Sequence, residues 1–192
     1  MSDFLPEIRK AIPIIVRPSD REHDPRLDRM FHILDVLKKT TAQFHFECVK
    51  EECPNHCCKP CSAWTFHAEV IREEHLKMIN DAYSGDPLNA FYNPETGCML
   101  PWEARPVNCL VFMCGREHAI ERAVFTETIV NPMKTIRRMI WDYAYAPNKE
   151  VRDGIWEKVR GMFAERPQIW KENMERLTLA VGSIDGGIRQ ER

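Results

Sequence analysis

The chain has no continuous apolar run approaching the roughly 18 residues needed to span a bilayer. Its opening stretch, MSDFLPEIRKAIPIIVRPSD, carries Asp3 and Glu7 early and breaks its apolar parts with Pro6 and Pro13. The unbroken apolar centre of a secretory leader is therefore missing, and the expected address is the cytoplasm, where thiols stay reduced. A strong charge of either sign is missing too. With 27 Lys and Arg against 29 Asp and Glu, the formal charge of −2 argues against a dedicated nucleic-acid binder. The sequence shows no glycine-rich phosphate loop, no Ser/His/Asp arrangement placed by a motif, and no carboxylate pair with supporting context. It also lacks internal repeats and low-complexity tracts. These absences assign no catalytic residue and give no reason to expect a membrane or nucleic-acid partner. What remains is a 192-residue chain, 44% hydrophobic and 29% charged, able to bury a real core as a single domain.

What the chain has is cysteine, and all of it in one window. The eight cysteines lie between Cys48 and Cys114, and five of them fall in Cys48–Cys61. The crowded part reads Cys53-Pro-Asn-His-Cys57-Cys58-Lys-Pro-Cys61; Cys98, Cys109 and Cys114 follow. Thiols at this density in a chain without a leader are most simply metal ligands. A disulfide framework fits less well. Neighbouring Cα atoms such as those of Cys57 and Cys58 lie about 3.8 Å apart, below the usual disulfide range of roughly 4.4–6.8 Å.

Zinc takes about four ligands in a tetrahedron, so eight cysteines can fill two sites, or one with thiols to spare. His56 is a further candidate ligand. Adjacent residues such as Cys57 and Cys58 are expected to point in different directions, which suits different metals or two sides of one cluster. Lys50, Lys59, Arg105 and Arg116 are placed to donate hydrogen bonds to sulfur and temper the negative charge of such a cage. Iron–sulfur chemistry competes closely. Cys53-x4-Cys58-x2-Cys61 matches the first three ligands of a plant-type ferredoxin, with Cys98 available as the distant fourth. The radical-enzyme spacing CxxxCxxC fails, because Pro60 stands where its last cysteine would be. Cys58-Lys-Pro-Cys61 has the form of a redox CxxC, but that motif belongs at a helix start after a strand, and here a strand is expected to follow it.

These residues resemble the small cysteine-cluster proteins built on a CxxCxxCC motif (YkgJ-like), described as zinc- or iron-chelating. The matching features are Cys48 or Cys53, Cys57-Cys58, then Pro94-Glu-Thr-Gly-Cys98, Arg105-Pro106-Val-Asn-Cys109 and Phe112-Met-Cys114. They span roughly residues 48–116. The first spacings here are x4 and x3 instead of x2 and x2. Asn89 or a neighbour stands where many members carry another cysteine, and Cys61 is an extra thiol. The resemblance implies chelation of zinc or iron; on the density and spacing of the thiols, the candidate ligands of such a metal, or of an iron–sulfur cluster, are Cys48, Cys53, Cys57, Cys58, Cys61, Cys98, Cys109 and Cys114. A larger relative, flagellin lysine methylase, pairs a similar cluster with methyl transfer; without a glycine-rich nucleotide loop, that chemistry is not carried over. No protein partner is named by the sequence.

The remaining pattern is mostly helical, so the expected class is α+β, mostly α. A cysteine-rich metal-binding knot with a small β element would be braced by N- and C-terminal helices. Residues 1–23 read as an extended arm. Asp24-Pro25 starts a helix with Leu27, Met30, Phe31, Leu34 and Leu37 on one face, within 24–46. The cysteine region follows over 47–116. Within it, alternation from Trp64 to Ile71 predicts a strand, with His67 and Glu69 on a solvated side. Arg72–Tyr83 reads as a helix with Leu76 and Ile79 inward; Glu73 and Glu74 suit its first turn, and His75 is expected at the surface, like His118. A turn over 91–97 leads to a short strand at Cys98, and Arg105-Pro106 starts a turn of helix carrying Cys109. Trp64 and Trp102 are expected to roof the site.

The stretch 117–181 predicts four helices: one ending at Val130, one capped by Asn131-Pro132, one capped by Asn148 with Val151, Ile155 and Val159 inward, and one from Pro167 with Ile169, Met174 and Leu177. Lys134, Arg137 and Arg138 read as a solvated face. The tail, 182–192, is expected to be flexible.

Overall fold

Asp24-Pro25 does start the first helix. The Asp24 carboxylate accepts the Arg26 amide at 3.2 Å, and its carbonyl accepts the Leu27 amide at 3.1 Å, so two N-terminal donors are satisfied. The computed structural model describes residues 14–16, 24–42, 66, 69–84, 91–93, 95, 97–111, 122–164, 172 and 175. Two compact units divide the chain, Met1–Phe112 and Met113–Arg192. Helix dominates the described residues, accompanied by two small two-stranded sheets. Among those residues no helix is long and apolar enough to cross a membrane.

In the first unit, strand β1 (Ile14–Val16) lies in the stretch read as an arm and pairs in parallel with β2 (Val70–Arg72), Ile15 opposite Ile71. Parallel strands need a crossover, and helix α1 (Pro25–Ala42) lies in that connection. The buried face of α1 carries Met30, Phe31, Leu34 and Leu37, and continues into Lys38 and Thr41. Thr41 satisfies its hydroxyl on the Leu37 carbonyl at 2.8 Å.

The strand expected over Trp64–Ile71 is shorter than its alternation suggests. Phe66 sits in a 3-10 turn, Glu69 outside any element, and the extended run begins at Val70. Helix α2 (Glu73–Ala82) follows at once, with Leu76 and Ile79 buried as the 3.6-residue period requires. Its acids Glu73 and Glu74 fall in the first turn, where the helix dipole favours them. A hairpin of β3 (Tyr92–Asn93) and β4 (Gly97–Cys98) comes next, with Tyr92 opposite Cys98. The Asn93 side chain accepts the Glu95 amide at 2.7 Å, which fixes the turn. Phe66, Ile71, Leu76, Ile79, Phe91 and Leu100 form the apolar cluster under these elements. Phe91 meets Phe66 edge-on at 5.5 Å and Tyr83 at 5.8 Å. Burying each such phenylalanine contributes about 1.5–3 kcal/mol.

A 3-10 turn (Trp102–Ala104) and the short helix α3 (Val107–Leu110) complete the described part of this unit. Helix α3 carries Cys109, as the Arg105-Pro106 signal predicts.

In the second unit the helix does not restart at Asn131-Pro132. Helix α4 (Arg122–Phe125) runs through a π turn (Thr126–Val130) into α5 (Asn131–Ala144), and Val130 and Asn131 keep helical backbone angles. Pro132 has no N–H for the Thr128 carbonyl. The helix answers by widening one turn, so that the Asn131 amide reaches the Thr126 carbonyl. Met133, Ile136, Ile140 and Tyr143 are buried along α5. Asn148 caps α6 (Lys149–Ala164) through its side-chain oxygen, which accepts the Val151 amide at 2.9 Å. Val159 is buried as expected and Ile155 half-buried, but Val151, in the first turn of the same face, is exposed. Lys134 and Arg138 are exposed, and Arg138 meets Asp142 at 3.7 Å on the solvated face. Of the last predicted helix, Glu172 and Glu175 are helical; Ile169, Met174, Leu177 and the tail lie outside the described residues.

Candidate functional site

Two candidate ligands can be placed, both in the first unit. Cys98 ends β4 and packs, half-buried, against the apolar cluster; Cys109 is half-buried in α3. Cys48, Cys53, Cys57, Cys58, Cys61 and Cys114 lie outside the described residues, as do His56, Trp64, His67, Lys50, Lys59, Arg116 and His118. Among the described residues, no group of three or more His, Cys, Asp and Glu side chains could by itself hold a metal ion. Thiols are soft donors of the kind that zinc and iron accept, and the two described here are fewer than the four that a tetrahedral site takes.

The segment that joins these two cysteines is pinned at three places. Arg105 donates from Nε to the Leu100 carbonyl at 2.8 Å and lays its guanidinium 3.8 Å over the Trp102 ring. Nε of Arg105, expected to donate to sulfur, thus donates to a backbone carbonyl just ahead of α3. Lys38 reaches across from α1 and donates from Nζ to the Glu103 carbonyl at 3.2 Å. Glu69 accepts the Val107 amide on Oε1 at 3.0 Å, which satisfies one of the exposed donors at the start of α3.

Glu69 is therefore not a solvated residue. It is 3% exposed, because the chain at position 69 has not yet entered the strand whose alternation would turn it outward. His75 is also buried, against the surface position expected of it. It lies one residue before Leu76 on the inward arc of α2, and Arg72 approaches its Nε2 at 3.1 Å. Arginine can only donate, so Nε2 holds the ring's lone pair and the imidazole is neutral. Burial, reinforced by the charges of Arg72 and Lys38, lowers the His75 pKa to about 4.

Arg72 is the hub of this polar group. It pairs with Asp35 on α1 and with Glu74 at 3.2 Å, and its guanidinium lies 5.5 Å from the Phe31 ring centre. Burial raises the Asp35 pKa, and Arg72 and Lys38 oppose that shift. For Lys38, burial lowers the pKa, while Glu69, Asp35 and Cys109 pull it back up. Asp35, Lys38, Glu69, His75 and Arg105 line a cleft with about 20 Å³ open to a water-sized sphere. That is room for about one water molecule among these charged side chains.

Lys38 was missed by reading the sequence for motifs, yet a signal was present. It stands four residues after Leu34 and seven after Phe31, on the apolar stripe of α1, where an ammonium needs partners.

No family model, curated protein or solved structure matches this chain.

Proposed function

We propose that this is a cytoplasmic metal-binding protein that chelates zinc or iron through thiolates of its cysteine window, in a structural or carrier role. The reading is carried by the ordered set Cys57-Cys58, Gly97-Cys98 and Arg105-Pro106-Val-Asn-Cys109. It is supported by the way Arg105, Lys38 and Glu69 pin the segment between Cys98 and Cys109. A chelating site gains affinity when its donors are held in place before the ion arrives. Cysteine thiolates would hold the ion, which would supply cross-linking of otherwise separate loops and hence folding free energy. No residue is given a catalytic role. The full arrangement proposed is a cysteine-rich knot braced by helices.

A second reading follows from Cys53-x4-Cys58-x2-Cys61 with Cys98, the ferredoxin-like spacing. It makes the chain an iron–sulfur protein, acting in redox chemistry or as an accessory to a protein-modifying enzyme. Metal analysis with an absorption spectrum of anaerobically purified protein separates the two. Zinc thiolate is colourless, an iron–sulfur protein is brown, and metal-free protein overturns both.

A further inference from the structure

We propose that the cleft around Lys38 is a carbonyl-capture site, in which the amine of Lys38 forms an imine with a small uncharged aldehyde. The proposal does not depend on the metal-binding reading. Lys38 is 7% exposed, whereas its neighbour Lys39 faces solvent. An ammonium buried so deeply normally holds a carboxylate. Lys38 does not. Among the described residues it makes no ion pair, and its hydrogen bond goes to a neutral acceptor, the Glu103 carbonyl, 3.2 Å from Nζ. Of the acids whose charge reaches it, Asp35 is engaged by Arg72, and Glu69 accepts the Val107 amide. This setting favours the neutral amine, and burial does lower the Lys38 pKa against the pull of those acids. The neutral amine is the form that attacks a carbonyl.

Buried as it is, Lys38 lines a space that a reactant can enter. The cleft it shares with Phe31, Asp35, Phe66, Glu69 and His75 has about 20 Å³ open to a water-sized sphere. Room for one water is room for an aldehyde carbonyl, whose carbon bears a single substituent besides hydrogen. Three acids, Asp35, Glu69 and Glu103, line the cleft against one arginine, Arg105, so an uncharged aldehyde is favoured over an anionic keto acid. The step balances within the cleft. The nitrogen lone pair attacks the carbonyl carbon, a C–N bond forms, and the C=O pair moves to oxygen. Both amine protons then pass to that oxygen, the C–O bond breaks, water leaves and an imine remains. Asp35 stands three residues before Lys38 on α1, a spacing that makes them neighbours on the helix surface. Its carboxyl, with a pKa raised by burial, is the group that can carry those protons from nitrogen to oxygen.

The test exposes the full chain to acetaldehyde and cyanoborohydride at neutral pH, so that any imine is reduced to a stable ethylamine. Peptide mass spectrometry then reads the rate at each lysine, with Lys39, exposed on the same helix, as the internal reference. Lys38 should be ethylated at least about tenfold faster than Lys39, a small part of the roughly 10²–10⁴ that a positioned acid contributes. In urea the two lysines should react alike, because the cleft is gone. Pivalaldehyde, which carries a tertiary butyl group on its carbonyl, should lose the preference for Lys38. Three results would each overturn the proposal: Lys38 no faster than Lys39 in the folded chain, a lead that persists in urea, or an equal lead with pivalaldehyde.

Discussion

Glu69 and Val107 stand 38 positions apart, and the carboxylate of the first accepts the backbone amide of the second at 3.0 Å. That contact ties the residue before β2 to the start of the helix bearing Cys109, in a place where the Glu69 side chain is buried and Lys38 is a neighbouring charge. Glu69→Ala removes the acceptor of the Val107 amide and a charge that offsets buried Lys38. We expect it to cost about 3–5 kcal/mol. Glu69→Gln keeps an acceptor for the amide and should cost less, about 1–2 kcal/mol. Urea unfolding of the three proteins measures this, and equal midpoints would show that the carboxylate holds nothing.

His75 gives the fold an acid sensitivity whose sign is fixed by its lowered pKa of about 4, against 6.5 for the unperturbed group. Between these values the unfolded chain binds the proton more readily than the folded one. Stability from keeping His75 neutral is thus fully present above about pH 6.5 and is lost as the pH falls toward 4. At about 1.4 kcal/mol per unit the loss by pH 4 is of the order of 3 kcal/mol. Asp35, with its pKa raised by burial, works in the opposite direction over the acid range, so the comparison must be made with a variant. His75→Gln should show a flatter decline between pH 6.5 and 4 than the wild type. Parallel curves for the two proteins would remove His75 from the account.

The helices were legible because a 3.6-residue period survives in the sequence. Phe31, Leu34 and Leu37 on α1, Leu76 and Ile79 on α2, and Ile136 and Ile140 on α5 are buried where that period places them. Local chemistry was legible too, in Asp24, Asn148 and the Arg105-Pro106 start of α3. Glu69 was misplaced because alternation has meaning only inside a strand, and the 3-10 turn at Phe66 shifts the parity before the strand begins. The pairing of β1 with β2 joins residues far apart in sequence, which no local pattern encodes. The π turn needed Pro132 to be read as a missing donor within a helix instead of a first-turn signal. For the candidate site, the sequence named Cys98, Cys109 and Arg105. It did not name Lys38, whose importance lies in what it meets across the fold.

Arg105→Lys should be far from conservative. The guanidinium both stacks on Trp102 and donates along its edge to the Leu100 carbonyl, and an ammonium cannot keep the planar contact. We expect a loss of about 1–2 kcal/mol in stability and faster metal loss to a chelator. Hydrogen exchange should localise the loosening to residues 98–111. Unchanged exchange there, with wild-type retention, would leave Arg105 without the bracing role.

The most direct test of the metal-binding reading is X-ray absorption at the zinc and iron edges on anaerobically purified native protein. The account predicts a stoichiometric metal whose first shell is sulfur at about 2.3 Å, filled by cysteine with histidine as the only other protein ligand and no exchangeable water. Protein without bound metal, or a metal surrounded by oxygen and open to solvent, would contradict it.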